Sequence, residues 1–205
     1  RAALANAHYN HLDLGNLRLL NSLDDPTGPF DLVLCKIPKT LALLQDQLHR
    51  IRPYCHPHTR FVGAGMVRSI HSSTLELCER SIGPTRTSLA RQKARLVFCT
   101  YDADLDPGPS PYPTNYVLEG PDYTLINHAN LFSRERLDIG TRLFLEQIPS
   151  SDAPLHIADL GCGNGVIGLV AAARNPSAEL YFADESFMAI ASARANFSAA
   201  FPGRA

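Results

Sequence analysis

An α/β fold is predicted for this chain on three observations. Short apolar runs alternate with helical patterns from Asp31 onward, a glycine-rich turn follows one such run at Gly161-Cys162-Gly163-Asn164-Gly165, and the acids Asp184-Glu185 close the next one. The 205 residues could hold one large domain or two modest ones, and an apolar content of 45% permits a real core. No apolar run approaches the roughly 20 residues needed to cross a bilayer. Cys35, Cys55, Cys78, Cys99 and Cys162 are odd in number, scattered and without a Cys-x-x-Cys pair. That usage fits a reducing cytoplasm, where the protein is expected, rather than a disulfide scaffold. His56-Pro57-His58 lacks convincing partners, so no metal site is expected.

Taken in order, residues 31–35 read as a short buried strand, and 40–50 as a helix after the turn at Pro38. Residues 60–64 begin a second strand. The stretch 69–78 supplies a helix face through Ile70, Leu75, Leu77 and Cys78, ending near Gly83-Pro84. Residues 93–100 read as a strand, and 102–113, with Pro107-Gly108-Pro109-Ser110-Pro111, as an irregular segment. Two short runs, 116–119 and 123–127, flank Gly120-Pro121-Asp122 and predict a hairpin. A helix over 137–148 should pack through Leu137, Gly140, Thr141, Phe144 and Leu145. A buried strand (155–159), a helix (166–174), a second strand (179–183) and a second helix (186–199) complete the pattern. The division of the chain is placed between residues 113 and 114.

The strand, glycine turn and helix around Asp159 to Gly168 form half of a nucleotide-cofactor pocket. Gly161, Gly163 and Gly165 let the backbone turn tightly and approach a ligand, and the first N–H groups of the following helix border it. Cys162 is best read as a small packed residue, since no basic neighbour activates it. Asp184 stands 25 residues after Asp159, at the end of the second strand, where a ribose with two free hydroxyls would be held. Two cofactors compete. Gly163-x-Gly165-x-x-Gly168 satisfies the dinucleotide fingerprint. Asp159, just before the first glycine, would repel a pyrophosphate but attract an ammonium, which favours S-adenosylmethionine.

Net charge is only −1 and offers no global argument for nucleic acid. The segment from Arg80 to Arg95 nevertheless carries five positive charges and no acid, among them Arg86, Arg91, Lys93 and Arg95. These could meet phosphates, or could be a solvated strand face beside the acidic loop Asp102, Asp104 and Asp106. His71, His128 and Asp138 read as capping, packing or surface residues.

Asp159-Leu-Gly-Cys-Gly-Asn-Gly-Val-Ile-Gly168 resembles the first motif of class I S-adenosylmethionine-dependent methyltransferases. The stretch from Asn127 to Leu145 resembles the entrance to that domain in bacterial ribosomal RNA guanine-N2 methyltransferases. Lys36-Ile-Pro-Lys-Thr-Leu-Ala-Leu-Leu44 and Ile70-His-Ser-Ser-Thr-Leu-Glu-Leu77 are similar to the large-subunit branch, and the small-subunit branch lacks this pattern. The resemblance implies two tandem Rossmann-like methyltransferase-type domains. Residues 1–113 would belong to a degenerate amino-terminal domain, and 114–205 would be a connecting hairpin and the start of the donor domain. It implies S-adenosylmethionine held by Asp159, Gly161, Cys162, Gly163, Asn164, Gly165, Asp184 and Glu185. The acceptor would be the exocyclic N2 of a guanine in protein-poor 23S rRNA.

Phe30-Asp-Leu-Val-Leu-Cys-Lys-Ile-Pro-Lys39 resembles the strand and Asn-Pro-Pro-aromatic turn of amino-directed methyltransferases, with Lys36 in place of the asparagine, Ile37 of the first proline and Lys39 of the aromatic. No catalytic residue is therefore assigned in this chain. With only two strands expected after Leu155, the chain reads as an internal fragment with both domains incomplete and no activity of its own. The alternatives are a small-subunit rRNA target, a small-molecule or protein methyltransferase, or a noncatalytic RNA-binding or assembly module.

Overall fold

A computed structural model describes residues 2–204. Helix α1 (Ala2–Tyr9), not expected from sequence, opens the chain. A four-stranded sheet follows, made of β1 (Leu32–Lys36), β2 (Arg60–Met66), β3 (Thr85–Thr87) and β4 (Ala94–Thr100) in the order β1-β2-β4-β3. β1 and β2 run parallel, and β4 is antiparallel to both β2 and β3. Strand β3 went unpredicted because Thr85-Arg86-Thr87 has no apolar alternation; its pairing with β4 makes it a strand.

Helices α2 (Leu41–Ile51) and α3 (Ser72–Ser81) cover one face of this sheet. Their Leu44, Leu48, Leu77 and Cys78 form one cluster with Phe61, Val97 and Cys99. The helix expected at 69–78 starts three residues later, because residues 67–69 take a tighter 3-10 turn and Ile70 drops into the core ahead of the helix. The opposite face is open. Side chains alternate across a strand, so the row Leu34, Val62, Phe98 and Arg86 lies there, with Leu34 74% exposed. The expectation of a short buried first strand is thus corrected to a strand covered on one side. We expect Leu77→Ala to cost about 3 kcal/mol and Leu34→Ala under about 0.5 kcal/mol in urea unfolding; equal losses would contradict the open face.

The second half begins with the hairpin β5 (Thr114–Leu118) and β6 (Tyr123–Asn127). Helix α4 (Ile139–Glu146) is capped by Asp138, which accepts the Thr141 N–H. Of the positions expected to pack along α4, Leu137 and Leu145 do reach the core, joined by Ile148, whereas Gly140 is exposed and Phe144 is 56% exposed. Arg174 holds the far end of the helix, donating to the carbonyls of Leu145 and Ile148. Strands β7 (His156–Leu160) and β8 (Glu179–Ala183) pair in parallel, joined by α5 (Val166–Arg174) and followed by α6 (Phe187–Ala200). Leu118, Leu125, Val166, Leu169 and Val170 form the second core. β7 is not the buried strand expected, since both helices sit on one side and Leu160 is left 80% exposed. The halves touch where Met188 of α6 lines a cleft with Leu43, Asp46 and Gln47 of α2. Among the described residues no helix is long and apolar enough to cross a membrane, and no side-chain cluster could hold a metal ion.

Candidate functional site

Chain direction reverses at the end of β7 because Gly161 takes φ +71°, and the turn is closed by the Gly161 and Cys162 N–H groups, which donate to the Ala183 carbonyl at 2.8 and 3.0 Å. Gly163 follows at φ +55° and donates its N–H to Asp184 Oδ2 at 3.0 Å. Asp184 Oδ1 accepts from Ser186 N–H at 2.8 Å, so the carboxylate links the glycine turn to the start of α6. Each carboxylate oxygen still has a lone pair free for a ligand hydroxyl. Glu185 beside it is exposed.

The glycines divide into two kinds. At Gly165, φ +83°, an added Cβ would lie 3.0 Å from Ala193 Cα, and at Gly168 it would lie 2.1 Å from the Phe182 ring. Both positions are glycine because α5 packs closely on α6 and β8. At Gly161 and Gly163 an added Cβ meets nothing within 4 Å, which leaves an open cradle over left-handed backbone.

The field in this cradle is negative. Asp159 is buried, and its Oδ2 accepts the Gly168 N–H at 3.0 Å. Burial lifts its carboxyl above the usual range, the Asp184 charge adds to this, and the Gly168 N–H opposes it. Burial pushes the Cys162 thiol up to about 11, helped by Asp159 and Asp184, so it stays a packed, protonated group. Asn164 is also turned inward, its Nδ2 donating to Asn127 Oδ1 at 2.9 Å. Of the residues singled out in the sequence, Gly161, Gly163 and Asp184 therefore border the cradle directly, and Glu185 is exposed next to Asp184. Asp159, Cys162, Asn164 and Gly165 shape it from behind. Asn127, which opens the stretch resembling the domain entrance, and Asn196 were not singled out as site residues; their burial as amides marks them.

The basic segment does not form one face. Arg91 and Lys93 sit exposed at the β3–β4 hairpin tip, where Gln92 and Lys93 have φ +50° and +63° and Arg91 exchanges two backbone hydrogen bonds with Ala94. The strand expected from Lys93 accordingly starts at Ala94. Arg68, missed in the sequence, lines the same shallow cleft as Lys93. Arg86 lies on the open sheet face with its guanidinium 4.8 Å from the Phe98 ring. Arg95 is paired with Gly65 on the helix-covered face. At the end of β1, Ile37 is buried and Lys36 and Lys39 are exposed.

A glycine turn between two parallel strands, with an acid ending the second strand, defines an α/β protein of the methyltransferase type. The chain belongs to the family of the RLMG N-terminal domain, whose model matches residues 1–103, and the model of the Methyltransferase small domain matches residues 122–202. It is 51% identical over 210 residues to the Ribosomal RNA large subunit methyltransferase G of Streptomyces griseus, covering 100% of this chain and 55% of that protein. The protein of the same name from Pseudomonas aeruginosa is 52% identical over 97% of this chain and 53% of its own length. The chain thus spans about half the length of the curated relatives it matches. A T. thermophilus 16S rRNA N2 methyltransferase, solved with AdoMet and guanosine, superposes with a TM-score of 0.74 at 20% identity, covering 97% of this chain and 54% of that one, and shows the shared fold. In the face of these matches the expectation of an inactive internal fragment with two incomplete domains is not carried further. The matches run along the whole chain, with a family model of its own on each half.

Proposed function

We propose that this chain acts in methyl transfer from S-adenosylmethionine to the exocyclic N2 of a guanine in protein-poor 23S rRNA. Residues 114–205 hold the donor, and residues 1–113 contribute the RNA-facing surface. The observation that carries the reading is the open cradle at Gly161 and Gly163, bordered by Asp184 and backed by the buried Asp159. Its left-handed backbone admits a ligand where any side chain would intrude, and its field suits a cation better than a pyrophosphate.

S-adenosylmethionine, when bound, supplies a methyl group on a cationic sulfur. Asp184 accepts the ribose hydroxyls through its free lone pairs while the Gly163 and Ser186 N–H groups hold it in place. Gly161 and Gly163 bring backbone within contact of the donor, and Cys162, Asn164 and Gly165 hold the shape of the turn behind them. Asp159 favours the ammonium end of the donor and anchors the first turn of α5. Transfer then depends on orientation, since the guanine amine is conjugated with its ring and must be aligned with the methyl.

Calorimetric titration tests the donor. The chain should bind S-adenosylmethionine more tightly than NAD, and Asp184→Ala should weaken it about 10- to 100-fold, the worth of hydrogen bonds to a charged group. Unchanged affinity in a folded Asp184→Ala would remove the ribose contact, and tighter binding of NAD would restore the dinucleotide reading.

A further inference from the structure

Two buried amides from outside the motif meet one inside it and hold the glycine turn. Asn127 on β6, Asn164 in the turn and Asn196 on α6 are 0, 8 and 1% exposed. Asn196 pairs with the hairpin as a second strand would: its Oδ1 accepts the Ile126 N–H at 2.7 Å and its Nδ2 donates to the Ile126 carbonyl at 3.0 Å. The same Nδ2 donates to the Asn164 carbonyl at 2.9 Å. Asn127 Nδ2 donates to the Leu125 carbonyl at 2.9 Å, which leaves its Oδ1 pointing at the turn to accept from Asn164 Nδ2. Asn164 Oδ1 in turn accepts the Val166 N–H at 3.1 Å, satisfying the first free N–H of α5. Every amide group is satisfied, which makes the network rigid and directional.

We propose that Asn127 is a positioning residue for the donor turn, acting through Asn164 to fix the backbone that presents Gly161 and Gly163. The proposal rests on the reading of this turn as the donor site. A turn with three glycines in left-handed conformation has many alternatives open to it. Asn164 is its one inward-facing polar side chain, and the partner of that side chain lies on a different element. Without Asn127, Asn164 Nδ2 keeps only the 3.4 Å contact to Tyr116 Oη.

Hydrogen exchange of the peptide spanning residues 161–166, measured without donor, tests the coupling. Calorimetric titration of S-adenosylmethionine tests its consequence. Asn127→Leu should speed exchange of that peptide about tenfold while the first half of the chain is unchanged, and should weaken the donor about tenfold. Asn127→Asp at pH 6, where burial keeps the new carboxyl protonated, offers the same acceptor and donor and should restore both to within about threefold of wild type. If Asn127→Leu does not fold, Asn164→Ala removes the same bond from the turn's side and is read by the same exchange. Unchanged exchange at 161–166 overturns the proposal. So does faster exchange throughout residues 114–204 with Asn127→Asp as defective as Asn127→Leu, which assigns Asn127 to general packing. A wild-type chain that does not bind S-adenosylmethionine refutes the donor reading instead, and the exchange data still decide the coupling.

Discussion

Gly165→Ala should lower stability by about 3 kcal/mol, whereas Gly163→Ala should leave the fold almost intact and abolish most donor binding. At Gly165 two costs add: a left-handed alanine loses about 1–2 kcal/mol, and its Cβ would press within 3.0 Å of Ala193 Cα, which α6 cannot yield cheaply. At Gly163 only the first cost applies, since nothing lies within 4 Å of the new Cβ. That Cβ instead occupies the space assigned to the donor, and affinity should fall more than about tenfold, or about 1.4 kcal/mol. Thermal melts and titrations of both variants separate the two effects. Donor binding by Gly163→Ala equal to wild type would close the cradle as a ligand site.

Reversing Arg86, Arg91, Lys93 and Arg95 to glutamate should weaken binding to a 23S rRNA fragment about 100-fold at low salt, with the difference shrinking as salt rises. Arg91→Glu combined with Lys93→Glu should account for most of this loss, because those two stand free at the hairpin tip with Arg68 beside them. Arg86 is stacked on Phe98 and Arg95 faces the helices, so their reversal should add little. Donor affinity should be unchanged throughout. Fluorescence anisotropy at two salt concentrations measures the effect, and equal RNA affinity for wild type and the tip double variant would remove this surface from the RNA contact.

Local chemistry along the chain suffices for the glycine turn, the hairpin and most helices. Gly161-Cys162-Gly163-Asn164-Gly165 admits few backbone paths, and all three glycines are at positive φ. Gly120-Pro121-Asp122 allows β6 to be placed at residues 123–127, and the strand register then draws β5 two residues earlier than the apolar run suggested. A cap such as Asp138 depends only on a residue three places away.

Burial and side-chain partnership are decided elsewhere, because they depend on which elements meet. Thr85-Arg86-Thr87 is a strand only because β4 lies beside it, and the apolar run of β7 is half exposed because both helices cover one side of its sheet. Charges adjacent in sequence separate for the same reason. Pairing with Phe98 sends Arg86 to one sheet face, and pairing with Gly65 sends Arg95 to the other. The amides of Asn127, Asn164 and Asn196 meet only when the hairpin, the turn and α6 are assembled. No spacing within the chain encodes a hydrogen bond between groups that far apart, so tertiary structure alone brought these residues to the turn.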